Sequence, residues 1–122
     1  MIELSEEEFK EVVAQAIDAL PDEFRAKLDN VEVVVEDLPP PDVRRRIGRG
    51  GLVLGLYQGI PHERRTTHYG LVLPDKISLY KRNIERISDS RDQAYRQIRK
   101  TLLHEIGHHF SLTDKDLRDI GW

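Results

Sequence analysis

Apolar positions change their spacing several times along the chain, and each change marks an element. Phe9, Val12, Val13, Ala16, Ile17 and Leu20 recur at helical intervals up to Pro21. Ser5 with Glu8 three residues later has the form of a capping box, so the first element is an amphipathic helix. The stretch VEVVVEDL, Val31 to Leu38, is rich in β-branched residues and partly alternates, as a half-buried strand does, and Pro39, Pro40 and Pro41 end it. Asp42 to Arg46 fits a short helical turn, and the glycines of IGRGG connect it to LVLGLY, a second strand. GIPHERRTTHYG is a polar loop, after which LVLP and ISLYKR form short strands separated by Pro74 and Asp75. Ser90 with Gln93 offers another capping box. Ala94, Ile98, Leu102, Glu105, Ile106 and His109 then run along neighbouring faces of a long helix to about Phe110. A last short helix starts at Thr113, with Asp116 at the capping-box position, and Gly121 closes it.

Composition narrows what these elements can do. A chain of 122 residues fits one compact domain, here 1–122. Its charged residues are 34% of the total with a net charge of −3, so both signs are mixed over a solvated surface and no nucleic-acid footprint is formed. No apolar run approaches the length of a membrane span, and MIELSEEEFK lacks the basic and apolar regions of an export signal. A cytoplasmic protein is the expectation. Without cysteine, any metal has to be held by imidazole and carboxylate.

The chemistry concentrates in TLLHEIGHHFSLTDKDL, Thr101 to Leu117. His104 and His108 stand four apart, so on a helix they project from one face a turn apart, as two imidazoles must to bind one tetrahedral ion. Glu105 beside them can take a proton from water without ligating the ion. His-Glu-x-x-His thus supplies two ligands and a general base for Zn2+. Such a pattern also arises by accident on charged helices. Here, however, Leu102, Leu103, Ile106 and Phe110 make the helix locally apolar, and buried histidines and a buried glutamate need a partner that a cation provides. A catalytic ion needs a third protein ligand. Glu105 is the last glutamate and fourteen residues follow His108, which leaves Asp114, Asp116 and Asp119; Asp114, six residues past His108, is best placed to fold back over the metal.

HEIGHHFSLTD resembles the extended metzincin motif His-Glu-x-x-His-x-x-Gly-x-x-His/Asp, with Ser111 in place of the glycine. The chain as a whole resembles the small bacterial zincin-like metallopeptidase family, with VEDLP, GLYQGIP, PDKISLY and HEIGHHF as landmarks. The only methionine is Met1, so no Met-turn follows the motif and the chain is at most a reduced relative of the metzincins. The resemblance implies an α+β, minimal zincin-like fold in which a small mixed sheet packs on an N-terminal helix and a C-terminal metal-binding helix. It implies a zinc-dependent peptidase acting on a peptide or protein substrate; the alternative is a catalytically silent zincin-like metal-binding domain that serves as an interaction module.

Other residues weigh less. His109 is turned about 100° from His108 on the helix, toward another element. His62 and His68 flank an arginine-rich loop and belong at the surface, and RRRIGRGG reads as a solvated turn and linker in preference to a phosphate contact. Tyr57 and Tyr80 can stabilise an oxyanion or, as tyrosines on strands more often do, pack. In DKISLYKR, Asp75 to Arg82, alternation sends Ile77, Leu79 and Lys81 to one face and Ser78, Tyr80 and Arg82 to the other, and terminal lysine and arginine are common at exposed sheet edges. Zincin-like enzymes receive an extended peptide on such an edge. The resemblance therefore places substrate along Ile77, Ser78, Leu79 and Tyr80.

Overall fold

A computed structural model describes residues 1–29, 31–47, 52–59 and 75–109, the side chains of 45–47 and 108–109 excepted. Its elements in chain order are α1 (Glu6–Asp18), α2 (Asp22–Lys27), β1 (Val31–Glu36), α3 (Pro41–Ile47), β2 (Gly55–Gln58), β3 (Asp75–Tyr80), α4 (Lys81–Arg86) and α5 (Arg91–His109). Helices with a small mixed sheet make the fold α+β. No helix among the described residues is long and apolar enough to cross a membrane.

The first capping box forms in full and the second in part. The Ser5 hydroxyl accepts the Glu8 N–H at 3.0 Å and the Glu8 carboxylate accepts the Ser5 N–H at 3.2 Å. At the start of α5, the Ser90 hydroxyl accepts the Gln93 N–H at 3.1 Å, while the Gln93 side chain reaches one residue further back, to the Asp89 N–H at 2.7 Å. Each cap satisfies donors that the first helical turn leaves without an intrahelical acceptor. α2 is absent from the hydrophobic pattern because it is short. Pro21 precedes it, and Phe24 alone of its residues is buried.

The sheet runs β1-β3-β2, with β1 parallel and β2 antiparallel to β3. Val33 stands opposite Ile77 and Val35 opposite Leu79, and Tyr57 and Gly55 lie across the same two residues on the other side. This face packs on α1 and α5, where Phe9, Val12, Ala16, Ala94, Ile98, Leu102 and Ile106 are fully buried. Burying each large apolar side chain contributes about 1.5–3 kcal/mol, so the α1–sheet–α5 layer is the main source of stability. On the opposite face, Tyr80 packs with Val43 and Val53 in a smaller cluster. Burial there raises the Tyr80 phenol above the ordinary tyrosine value, with the Glu36 carboxylate as a second cause.

β3 is where expectation and structure part. The stretch expected to lie at an exposed edge is the central strand, hydrogen-bonded on both sides, and Ile77, Ser78, Leu79 and Tyr80 are all buried. The strand ends at Tyr80. Lys81 and Arg82 begin α4 and guard no edge, and the buried Glu85 of that helix holds the N-terminal segment by accepting the Leu4 N–H at 2.6 Å beside the Lys81 ammonium at 3.1 Å. The strand expected in LVLP and the helix expected from Thr113 lie outside the described residues.

Candidate metal centre

The inner face of α5 is apolar, and the face beside it carries Gln97, Thr101, His104 and Glu105 at successive turns. The Thr101 hydroxyl donates to the Gln97 carbonyl at 2.7 Å, a back-bond that fixes its rotamer and leaves its methyl pointing at β2. Facing that methyl is Gly55. A Cβ there would lie 2.7 Å from Thr101 Cγ2 and 3.0 Å from the Ser78 carbonyl oxygen, so α5 and β2 approach more closely than any side chain at this position allows.

That approach brings Glu105 to β2. The Tyr57 N–H donates to Glu105 Oε2 at 3.1 Å, and the Tyr57 hydroxyl donates to Oδ2 of the buried Asp75 at 2.8 Å. The Leu54 carbonyl accepts the Tyr80 N–H at 3.0 Å and so faces β3. Alternation along the strand then turns the backbone groups of Gly55 and Tyr57 to the outer side, where Glu105 stands. One tyrosine thus anchors the strand through its side chain and orients the carboxylate through its backbone. Its hydroxyl is engaged away from the cleft, and the Tyr80 side chain lies in the smaller core cluster. Neither phenol is placed as an oxyanion donor.

His104 and Glu105 are half-buried and line a cavity of about 340 Å³ with Leu52, Val53, Leu54 and Gly55 on one wall and Gln97, Lys100 and Thr101 on the other. In a partly desolvated, otherwise largely apolar cavity, an imidazole suits a cation of intermediate hardness and a carboxylate beside it suits a base. The α5 backbone continues to position 108, one turn beyond His104. The side chain of His108, and all of Asp114, Asp116, Asp119, His62 and His68, lie outside the described residues. Among the described residues, no cluster of three histidine, aspartate or glutamate side chains is placed to hold a metal.

Ile77 and Leu79 point into the core and Ser78 and Tyr80 to the opposite face of a strand paired on both sides, so a peptide cannot pair with them. The fault lay in taking the basic residues that follow the strand as edge protection when they open a helix. The residues that do line the cleft had weaker signals. Gln97, Thr101 and Lys100 sit one or two turns before the histidine motif, and a glycine inside the LVLGLY pattern marks a close backbone approach.

The sequence matches the zincin-like metallopeptidase family over residues 28–122. The fold is similar to that of a conserved hypothetical protein from T. thermophilus, with a TM-score of 0.57 at 26% sequence identity, covering 88% of this chain and 94% of that one. No curated protein matches the chain. The family match takes in the central strand, the edge strand and the helix that carries His104 and Glu105, and the chain belongs to the zincin-like metallopeptidase family.

Proposed function

We infer that the chain is a zinc-dependent peptidase with Glu105 as its general base and His104, His108 and Asp114 as its metal ligands. The observation that carries this is the placement of the Glu105 carboxylate: it stands beside His104 in the cleft, held by a backbone N–H of β2. Family membership supports it.

Zinc bound at these ligands supplies a Lewis acid and lowers the pKa of water. The chain's own residues do the rest. Tyr57 N–H fixes Oε2, so the carboxylate keeps one orientation without a rotamer search. Glu105 accepts a proton from the attacking water and delivers it to the leaving amine nitrogen. An extended peptide pairs with the outer side of β2 through the Gly55 backbone groups and the Tyr57 carbonyl, the Tyr57 N–H being held by Glu105, and the leucine and valine wall of the cleft excludes water from the scissile bond. This places substrate on β2 in place of β3.

The test joins metal analysis to hydrolysis. Wild-type protein should hold about one zinc per chain and cleave members of a peptide library, with chelator abolishing cleavage. His104→Ala should lose the zinc, and Glu105→Gln should keep zinc and fold but lose hydrolysis. A fully active Glu105→Gln variant would refute the assignment of the base. Stoichiometric zinc with no hydrolysis by wild type would instead identify a metal-binding interaction module.

A further inference from the structure

A second cavity, of about 270 Å³, shares Leu52 and Val53 with the cleft. Leu38, Pro39, Leu52 and Val53 supply its apolar lining, and Arg44, Arg86 and Asn83 its polar lining. Arg44 extends from α3, where its Nε donates to the Pro39 carbonyl at 2.8 Å; that bond fixes the guanidinium plane and leaves the Nη groups for another acceptor. Arg86 ends α4. The buried Asn83 donates from Nδ2 to the Val53 carbonyl at 2.9 Å and so ties the shared wall to α4.

This cavity combines positive charge with exposed apolar surface. Acids outnumber bases overall, 22 to 19, and Arg25, Arg91 and Arg96 each pair with a carboxylate. Arg44 and Arg86 pair with none among the described residues, and no acidic side chain among those residues lines the cavity. Two guanidinium groups without an ion pair among the described residues, at one concave site, raise the local potential and select an oxyanion, which a planar fork can hold in bidentate fashion. Large exposed apolar side chains gather at the same place. Leu38 and Leu52, 38% and 42% exposed, line the cavity, and Ile87, at 40%, follows Arg86.

We propose that the Arg44–Arg86 cavity is a second peptide-binding site, taking a peptide carboxylate on the two guanidinium groups and the neighbouring apolar side chain against Leu38 and Leu52. The two guanidinium groups select the carboxylate, and exposed leucines beside them select an apolar neighbour. A simple inorganic anion would use only half of the site. That the ligand is a peptide rests on the peptidase assignment of the cleft; the pairing of charge with apolar surface does not. Because Leu52 and Val53 belong to both cavities, a chain crossing them would reach the cleft with its direction already fixed.

The test uses the full chain, loaded with zinc and carrying Glu105→Gln so that no probe is cleaved, and follows backbone amide shifts by NMR. The probes are acetyl-Ala-Leu with a free C-terminal carboxylate, the same peptide as its amide, acetyl-Leu-Glu-amide, acetyl-Leu-Gln-amide and inorganic phosphate. The expected result is that carboxylate-bearing peptides shift the amides of Arg44, Leu52, Val53, Asn83 and Arg86, and that their neutral counterparts bind at least 10-fold more weakly. Which of the two carboxylate probes binds better identifies a chain terminus or an acidic side chain as the ligand. Arg44→Gln and Arg86→Gln together should remove that preference while the melting temperature stays near that of the parent. Equal binding of charged and neutral peptides, or unchanged binding by the double variant, overturns the proposal. So does phosphate that binds as tightly as the peptides. If the protein neither holds zinc nor hydrolyses any peptide yet binds carboxylate peptides here, the cleft assignment fails and this site stands. If it hydrolyses peptides while this cavity shows no preference, the site fails alone.

Discussion

Gly55→Ala tests the packing that brings Glu105 to its strand. The added methyl would sit 2.7 Å from Thr101 Cγ2 and 3.0 Å from the Ser78 carbonyl, where ordinary contact is 3.4–4 Å. Neither neighbour yields cheaply. Rotating Thr101 breaks its 2.7 Å bond to the Gln97 carbonyl, and the Ser78 oxygen belongs to the backbone of the central strand. Forcing a methylene-sized group into such a contact costs roughly 1–3 kcal/mol. Replacing glycine in a strand returns about 0.5–1 kcal/mol through the unfolded chain. The midpoints of the two ranges leave a net loss of about 1 kcal/mol, which for a chain of this length lowers the melting temperature by roughly 4–5 °C. Urea unfolding followed by circular dichroism should show an earlier midpoint at unchanged slope. Thr101→Ser removes Cγ2 and keeps the hydroxyl, so in the Gly55→Ala background it should restore part of the loss, with the residue due to Ser78. An alanine variant as stable as wild type, or a serine change that gives no relief, would mean that helix and strand do not approach this closely.

Further outcomes follow from other contacts. Leu102→Ala empties a fully buried position and should cost about 2–5 kcal/mol by denaturant unfolding; a loss below about 1 kcal/mol would place this face of α5 outside the core. Tyr57→Phe removes the bond to Asp75 and should cost about 1–2 kcal/mol, with unchanged stability showing the pair to be dispensable. In the capping box, the Glu8 carboxyl is held below the usual glutamate range, first by the Ser5 N–H and then by the Ser5 hydroxyl. A depressed folded value means that its contribution is present above the unfolded pKa and is lost as pH falls through the folded one. The melting-temperature advantage of wild type over Glu8→Gln should therefore hold at neutral pH and fall away as acidification protonates the carboxyl, below the ordinary glutamate range. An advantage that stays constant through that acidification would exclude the carboxylate as its source. Asp89, lowered by its hydrogen bond to the N-terminal ammonium and by that charge, should behave likewise when replaced by Asn.

How much of this was legible in sequence depended on whether the signal was local. Ser5 with Glu8, Ser90 with Gln93, the spacing from Phe9 to Leu20 and the four-residue interval between His104 and His108 are set by neighbours within a turn or two, and the helices α1 and α5 appear where those signals put them. Asp42 to Arg46 likewise falls within α3. Strand order is a long-range property. Nothing in DKISLYKR states that it will be flanked on both sides, because its partners begin at Val31 and Gly55. The polar residues Ser78 and Asp75 are buried by packing and pairing that form only in the tertiary structure. Tyr57 was recognised as a candidate for the wrong atom, since its backbone N–H reaches the site and its phenol does not.

The central position of β3 also bears on how the chain emerges during synthesis. Among the described strands it is the last made, yet both others pair with it, so β1 and β2 wait for residues 75–80 before either has this partner in the sheet. Until then the valines of VEVVVE lie in an unpaired β-forming segment, the kind most prone to join another chain. Glu32 within it and Glu36 at its end place like charges along any such stack and oppose it, and Lys76 on β3 meets Glu36 at 3.3 Å once the sheet closes. Neutralising both glutamates should therefore harm the yield of soluble protein more than the stability of the finished fold.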